Sequence, residues 1–366
     1  MLHKIIESVK ERFGNRLLIL GHHYQCEDVI AHADLIGDSF QLSKIAAERS
    51  VSSCSDRGSE LEVIIFCGVH FMAETADILA NSPLNISKRS GRRVDVVLPD
   101  LLAGCSMADM ADYESVLSCW EQLSAAVDID EIIPVTYVNS SAELKSFCGE
   151  RGGISCTSGN AEAVLEWALS RGRRVLFFPD QHLGRNTAIK MGISMTEIAD
   201  WHCKEAELGG NNVDVIRRSK ILLWDGFCCV HQRFLPEHID EIRDIIPDVR
   251  VIVHPECKRE VVIKADESGS TAYILRRIME SPAGSSWAVG TEGRFVDRIA
   301  KQNRDKLVVN LAFQPSYCST MGLITLENLA DALVKIENGN LSNVIRVEEK
   351  VAQSALIALQ RMLENV

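Results

Sequence analysis

Groups able to move protons or hold a metal recur in this sequence at one kind of place, just after a short apolar run. RLLIL (16–20) is followed by Gly21, His22, His23, Tyr24 and Gln25, and EVIIF (62–66) by Cys67, Gly68 and, shortly after, His70 and Glu74. DVVLP (95–99) leads to Asp100, Gly104 and Cys105, and VTYV to Asn139, Ser140 and Ser141. VLFF (175–178) leads to Asp180 and His182, and ILLW (221–224) to Cys228, Cys229 and His231. VRVIV (249–253) ends in His254, Glu256 and Cys257. Six of the ten histidines fall in these segments: His22, His23, His70, His182, His231 and His254. A lone histidine is ordinarily structural, but several at one topological edge point to acid–base work or ligation. His254 and Glu256 stand two apart in what reads as an extended segment, so their side chains leave the backbone on one side. That suits a base and a polariser acting on one substrate, and a salt bridge within the loop explains the same spacing. Two hydroxyl clusters, SCTSGN (155–160) and GSTAY (269–273), stand at predicted helix starts, where backbone amides can hold an anion.

The elements that must position these groups are legible in the same runs. Nine strands are predicted: 16–20, 62–66, 95–99, 133–138, 175–178, 221–224, 249–253, 287–290 and 306–313. They are continuous and apolar rather than alternating, the pattern of parallel strands covered on both faces. Helical patterns lie between them, at 161–172, 238–247 and 325–339, the last opening on Thr325 and closing before Gly339. Such alternation means an α/β fold with parallel sheets, whose ligands bind beyond the carboxyl ends of the strands. The polar stretch 81–94 and the turn at 209–214 read as candidate linkers, and the number of sheets stays open.

Composition bounds the function. With 366 residues, 46% hydrophobic and 25% charged, the chain can bury a sizeable core and reads as a globular protein of two or three domains. A net charge of −12 without a basic run argues against a nucleic-acid partner. No apolar stretch is long enough for a membrane span, and MLHKIIESVKERFGNR reads as an amphipathic helix rather than an export signal, so a cytoplasmic location is expected. Twelve cysteines in such a chain point to ligation or catalysis rather than to disulfides. No C-x-x-C pair occurs, which leaves a zinc ribbon or a ferredoxin-type run unsupported. Cys54, Cys119, Cys148 and Cys203 read as small buried hydrophobes.

The strand-end list resembles the quinolinate synthase family, the iron–sulfur enzymes of bacterial NAD biosynthesis. The resemblance runs in family order over nearly the whole chain: GHHYQ (21–25), IGDSFQLSK (36–44), GVHFMAETADIL (68–79), LPDLLAGCSMAD (98–109), VTYVNSSAELK (135–145), CTSGNA (156–161), FPDQHLGRNTA (178–188), GFCCVHQRF (226–234), VHPEC (253–257), GSTAYI (269–274), GTE (290–292) and CSTMGLITLENL (318–329). It implies three similar three-layer α/β/α domains with small parallel sheets around a pseudo-threefold axis, and an active site at their junction. The divisions expected are 1–93 with the C-terminal helices of about 326–366, then 94–216, then 217–325. It also implies one [4Fe–4S] cluster per chain, held by Cys105, Cys228 and Cys318, with the fourth iron open as a Lewis acid.

The reaction implied is a transferase-type condensation of iminoaspartate with dihydroxyacetone phosphate, giving quinolinate, phosphate and water. Carboxylate contacts map to Ser39, Tyr137, Asn139, Ser158, His254, Ser270 and Thr271. Proton transfers map to His22, Tyr24 and Glu256, with His231 lining the phosphate side. A functional link to L-aspartate oxidase and a need for iron–sulfur assembly machinery follow. The chain departs from the family pattern at Cys229, where proline is usual, and at His23. Additional residues around 48–60, 146–153 and 202–218 are expected in surface loops. Two other readings stay in view: a non-catalytic iron–sulfur sensor or electron-transfer protein, and a zinc hydrolase using His22, His23 and Glu256.

Overall fold

A computed structural model describes residues 1–52, 60–205 and 207–364. Its strands are β1 (Leu17–His22), β2 (Leu35–Gly37), β3 (Val63–Cys67), β4 (Asp95–Val97), β5 (Ile132–Tyr137), β6 (Ile154–Cys156), β7 (Arg174–Phe178), β8 (Ile198–Trp201), β9 (Ile221–Trp224), β10 (Arg250–Val253), β11 (Glu267–Ser268), β12 (Ser286–Gly290), β13 (Leu307–Asn310) and β14 (Val344–Ile345). All nine predicted strands are present. They assemble with the others into three small sheets, ordered β14-β4-β3-β1-β2, β6-β5-β7-β9-β8 and β11-β10-β12-β13. Every pairing is parallel except that of β14 with β4. The α/β expectation with small parallel sheets therefore holds.

Most central strands are buried along their whole length because helices cover both faces. β1, β3, β5, β7 and β9 have no exposed residue. Around the second sheet the core joins Val116 and Leu123 of one helix, Leu144 and Phe147 of another, and Leu176, Phe178 and Trp224 of the strands. Around the third, Phe234, Ile239 and Ile242 pack on Val251, Val253 and Ala288. Helix starts follow local chemistry: Asp112, Ser141, Asp180, Asn212, Ser270, Glu292 and Thr325 each cap the helix that follows with a side-chain oxygen. The predicted cap at Thr325 accepts from the Asn328 amide, and Gly339 takes the positive φ (73°) that ends this region.

The chain forms two compact units, Met1–Cys105 with Tyr317–Leu356 and Ser106–Ser316 with Ile357–Val366. The first holds the β1 sheet and the second holds the other two. The division falls inside helix Glu349–Glu364, whose Ala358 lies in the core of the second sheet and whose Arg361 donates to Gly153 O at 2.6 Å. The candidate linkers each join strands of one sheet. Segment 81–94 contains helix Pro83–Lys88 between β3 and β4, and 209–214 lies between β8 and β9. Neither separates one sheet from the next.

Of the loops expected to carry additional residues, 146–153 is not a surface loop. It falls largely within helix Ala142–Glu150, which buries Ser146, Phe147, Cys148 and Gly149. Cys119 and Cys148 are buried as expected, but Cys203 is exposed in the turn after β8. Cys54 lies outside the described residues. Among the described residues no helix is long and apolar enough to cross a membrane.

Candidate active site

In the second unit, the carboxyl ends of β5, β7, β10 and β12 converge on one buried carboxylate, Glu256. β10 and β12 run in register to Val253 and Gly290, so His254 and Thr291 leave the sheet side by side, and the His254 amide donates to Gly290 O at 3.0 Å. The chain turns at once, with the Cys257 amide returning to His254 O at 3.0 Å. This corrects the extended reading of 254–256. The two side chains nevertheless approach each other, His254 Nδ1 lying 3.9 Å from Glu256 Oε2.

The nearer partner of Glu256 comes from another loop. His231, which opens the short 3₁₀ turn His231–Arg233, places Nδ1 2.7 Å from Glu256 Oε2 and Nε2 3.0 Å from Thr291 Oγ1. Its ring stacks on His254 at 4.4 Å between centroids and an interplanar angle of 17°. Tyr137, the last residue of β5, also hydrogen-bonds Glu256. His231, His254 and Glu256 are each no more than 2% exposed.

Burial on its own would raise the Glu256 pKa. His254, His231 and the hydrogen bonds from His231 and Tyr137 outweigh it and hold the carboxyl well below its usual range. Glu256 is therefore an anion. Nδ1–H of His231 donates to it, and Nε2 pairs with the Thr291 hydroxyl. Burial holds His254 neutral, pushing its pKa down to about 3. Asp180, fully buried after β7, is pushed up by burial and by the negative charge of Glu256. Two buried carboxyls near each other thus shift in opposite directions, Glu256 down and Asp180 up.

Asp180 also organises the loop bearing Cys228. Its carboxyl caps helix Gln181–Lys190 through the Leu183 amide (2.7 Å) and receives the Cys228 amide. Gln181 reinforces this, its amide donating to Gly226 O and its side chain to Asp225 O, both at 2.9 Å. Asn186 of the same helix donates to Pro255 O and Cys257 O at 2.8 and 2.9 Å, fixing the turn that carries Glu256. One sulfur, one nitrogen and one oxygen donor of Cys228, His231 and Glu256 lie within 4.8 Å of one another, a set suited to a metal.

Both hydroxyl clusters stand at helix starts. Ser270 caps helix Thr271–Glu280, and Thr157 and Asn160 close the turn before helix Ala161–Leu169. The two helix starts adjoin: a Cβ on Gly159 would lie 3.6 Å from Ser270 Oγ. Ser158, Ser270 and Thr271 are thereby brought together.

The first unit holds His22, Tyr24, Ser39, Cys105 and Cys318. His22 ends β1, accepts the Tyr24 amide at Nδ1 (3.1 Å) and meets the Tyr24 ring edge-on at 4.7 Å. Gly21 just before it is required, because a Cβ there would lie 2.8 Å from both Ala33 Cβ and Ile30 Cδ1. Ser39 is buried at the start of helix Ser39–Ser52. Cys105 follows a tight turn at 100–104, and Cys318 precedes the 3₁₀ turn Met321–Leu323 with its sulfur 3.5 Å from Thr320 Oγ1.

The cysteines fall into groups. Cys67, Cys119, Cys148, Cys156 and Cys257 are buried, and burial raises their thiol pKa values, which disfavours a thiolate ligand. Cys105, Cys228 and Cys318 are half-buried on loops, as is Cys26, while Cys203 and Cys229 are exposed. Sequence reasoning did not assign roles to Asp180, Thr291 or Asn328. The first two stand at strand ends inside the quoted motifs, so position was the available signal. Asn328 also lies inside a quoted motif, 318–329, but within a helix, where position gave no such signal.

The quinolinate synthetase A protein family model matches residues 4–364. Curated relatives named quinolinate synthase include that of Rhodopirellula baltica, 50% identical over 363 residues covering 99% of this chain and 90% of the relative. The Corynebacterium glutamicum protein is 51% identical over 365 residues, 100% of this chain and 88% of its own. That of Bacillus subtilis is 45% identical over 362 residues, 98% and 91% respectively. With its three parallel-dominated sheets and this match from end to end, the chain belongs to the quinolinate synthetase A family.

Proposed function

We propose that this enzyme condenses iminoaspartate with dihydroxyacetone phosphate to give quinolinate, phosphate and water in NAD biosynthesis. The observation that carries the reading is the buried set around Glu256, an ionised carboxylate held by His231 and Tyr137 within reach of the Cys228 thiol. A non-catalytic iron–sulfur sensor needs no such acid–base set.

The group expected to work with it is one [4Fe–4S] cluster per chain, held by Cys105, Cys228 and Cys318. The donor set fits, because these thiols are half-buried on loops whereas five other cysteines are sealed in the core. When bound, a cluster with three protein ligands supplies one open iron as a Lewis acid.

The remaining work falls to the chain. Ser158, Ser270 and Thr271, at adjoining helix starts, hold a substrate carboxylate through hydroxyls and backbone amides. Tyr137, Asn139, His254 and Ser39 complete carboxylate recognition. Glu256 takes a proton during carbonyl migration and dehydration, and His231, oriented by Thr291, steadies its charge and faces the phosphate. His22 and Tyr24, in contact with each other, carry the other proton transfers. L-aspartate oxidase is the expected source of iminoaspartate, and iron–sulfur assembly machinery the source of the cluster. The three sheets support a division into three domains; strand pairing would put β4 with the first and β9 with the second, each across the boundary expected from the sequence, 93/94 and 216/217.

The test is anaerobic incubation of purified protein with dihydroxyacetone phosphate and iminoaspartate generated from oxaloacetate and ammonia. Quinolinate measured by chromatography is expected from the parent and not from Glu256→Gln. A cluster-loaded parent that forms no quinolinate would overturn the reading.

A further inference from the structure

Three loops of the first unit that carry proposed site residues are tied at one short turn. Met321–Leu323 is a single 3₁₀ turn following Cys318, and the Gly322 amide returns to Cys318 O at 3.1 Å. Two of its carbonyls receive amide side chains from elsewhere. Gln25 Nε2, from the loop bearing His22 and Tyr24, donates to Met321 O at 3.1 Å in buried surroundings. Asn328 Nδ2 donates to Leu323 O at 2.9 Å and also to Asp100 Oδ2 at 3.0 Å.

Asp100 governs the other cysteine loop. Its Oδ1 accepts the Leu102 amide at 2.9 Å and its backbone carbonyl accepts the Ala103 amide at 3.2 Å, which folds the turn that delivers Cys105. Asn328 is itself fixed, since its amide caps onto Thr325 Oγ1 at 3.1 Å at the start of helix Leu326–Glu337. A rigid helix start therefore holds, through one carboxamide, the turns on which Cys105 and Cys318 depend. An amide suits the place because its NH₂ offers two donors for two acceptors at once.

We infer that Asn328 is a positioning residue for the cluster, setting the Cys105 and Cys318 loops in ligand-ready geometry before iron arrives. Gln25 ties the proton-transfer loop to the same Cys318 turn through Met321 O, without reaching the Cys105 loop. The inference rests on the proposed cluster reading, and pre-organised ligands held from behind are what a metal site requires.

The experiment compares the parent, Asn328→Leu and Gln25→Leu, each purified and reconstituted without oxygen. Iron and sulfide per chain, the half-life of the cluster in air and the melting temperature are read on all three. Alkylation rates of individual cysteines are read on cluster-free protein by mass spectrometry. Asn328→Leu is expected to lose its cluster in air about tenfold faster, with Cys105 and Cys318 alkylated several-fold faster, Cys228 unchanged, and a melting temperature close to the parent's. Gln25→Leu, which frees only the Met321 end of the turn, is expected to leave Cys105 alkylation at the parent's rate and to shorten the air half-life less than Asn328→Leu does. Parental half-life and alkylation in Asn328→Leu would overturn the inference, as would equal losses in Gln25→Leu. A parent that takes up no cluster would instead overturn the reading beneath it. If Asn328→Leu does not fold, Asp100→Ala removes the other half of the tie and is held to the same expectations.

Discussion

The Glu256 network of the second unit and the cysteine loops of the first solve different problems. Around Glu256 the polar groups are sealed from water and pair with one another, save Asp180 Oδ2, which has no hydrogen-bond partner among the described residues: His231 lies between Glu256 and Thr291, and Tyr137 adds a further hydrogen bond. Burial holds His254 neutral and pushes Asp180 up, while the neighbours of Glu256 outweigh burial and keep it ionised. In the first unit the thiols of Cys105 and Cys318 are half-buried, and what is fixed is the backbone, through Gln25 and Asn328. Charge state is set by enclosure in the one and loop geometry by carbonyl ties in the other. The first should respond to pH and to loss of single polar atoms, and the second to shape.

The largest expected effect is on the Glu256 side. Glu256→Gln keeps the size of the side chain and removes its charge, so kcat should fall about 10²–10⁴-fold with iron content unchanged, measured by quinolinate formation and iron assay. Acid comes next. The fold keeps His254 neutral down to about pH 3, whereas the unfolded chain takes up that proton near its ordinary value of 6.5. Stability should therefore fall as pH drops from 6.5 towards 3, and Glu256, also held low, adds to the loss below its usual range. Denaturant midpoints of cluster-free protein against pH check this, and His254→Gln should flatten the upper part of the slope.

Thr291→Val leaves His231 Nε2 without this hydroxyl and should cost about 1–3 kcal/mol in stability, with Thr291→Ser restoring most of it. The smallest effect tests the other region. Gly21→Ala forces a methyl to 2.8 Å from Ala33 and Ile30, which should cost about 1–3 kcal/mol by denaturation without altering the pH slope. A changed slope would erase the distinction between the two regions.

What the sequence revealed follows the same physics. Every central strand was legible, because strands covered on both faces are runs of apolar residues such as Ile64–Phe66 or Val175–Phe178. The five that escaped, β2, β6, β8, β11 and β14, are all sheet edges of two to four residues. Edges so short carry no such run, as Glu267–Ser268 shows. The strand-end residues were legible as a set, but their pairing was not: Glu256 was matched with His254 in sequence, while its closest contact, His231, comes from 25 residues away. Asn328 was invisible, because its importance lies in the two acceptors that the fold brings to it.

The most direct measurement is iron and acid-labile sulfide per chain, on protein purified without oxygen, for the parent and for Cys105→Ser, Cys228→Ser, Cys318→Ser and Cys67→Ala. The account predicts about four of each in the parent and in Cys67→Ala, with loss of the cluster in each of the three serine variants. Parent protein still free of iron after anaerobic reconstitution, or a cluster that survives loss of all three loop thiols, would contradict it.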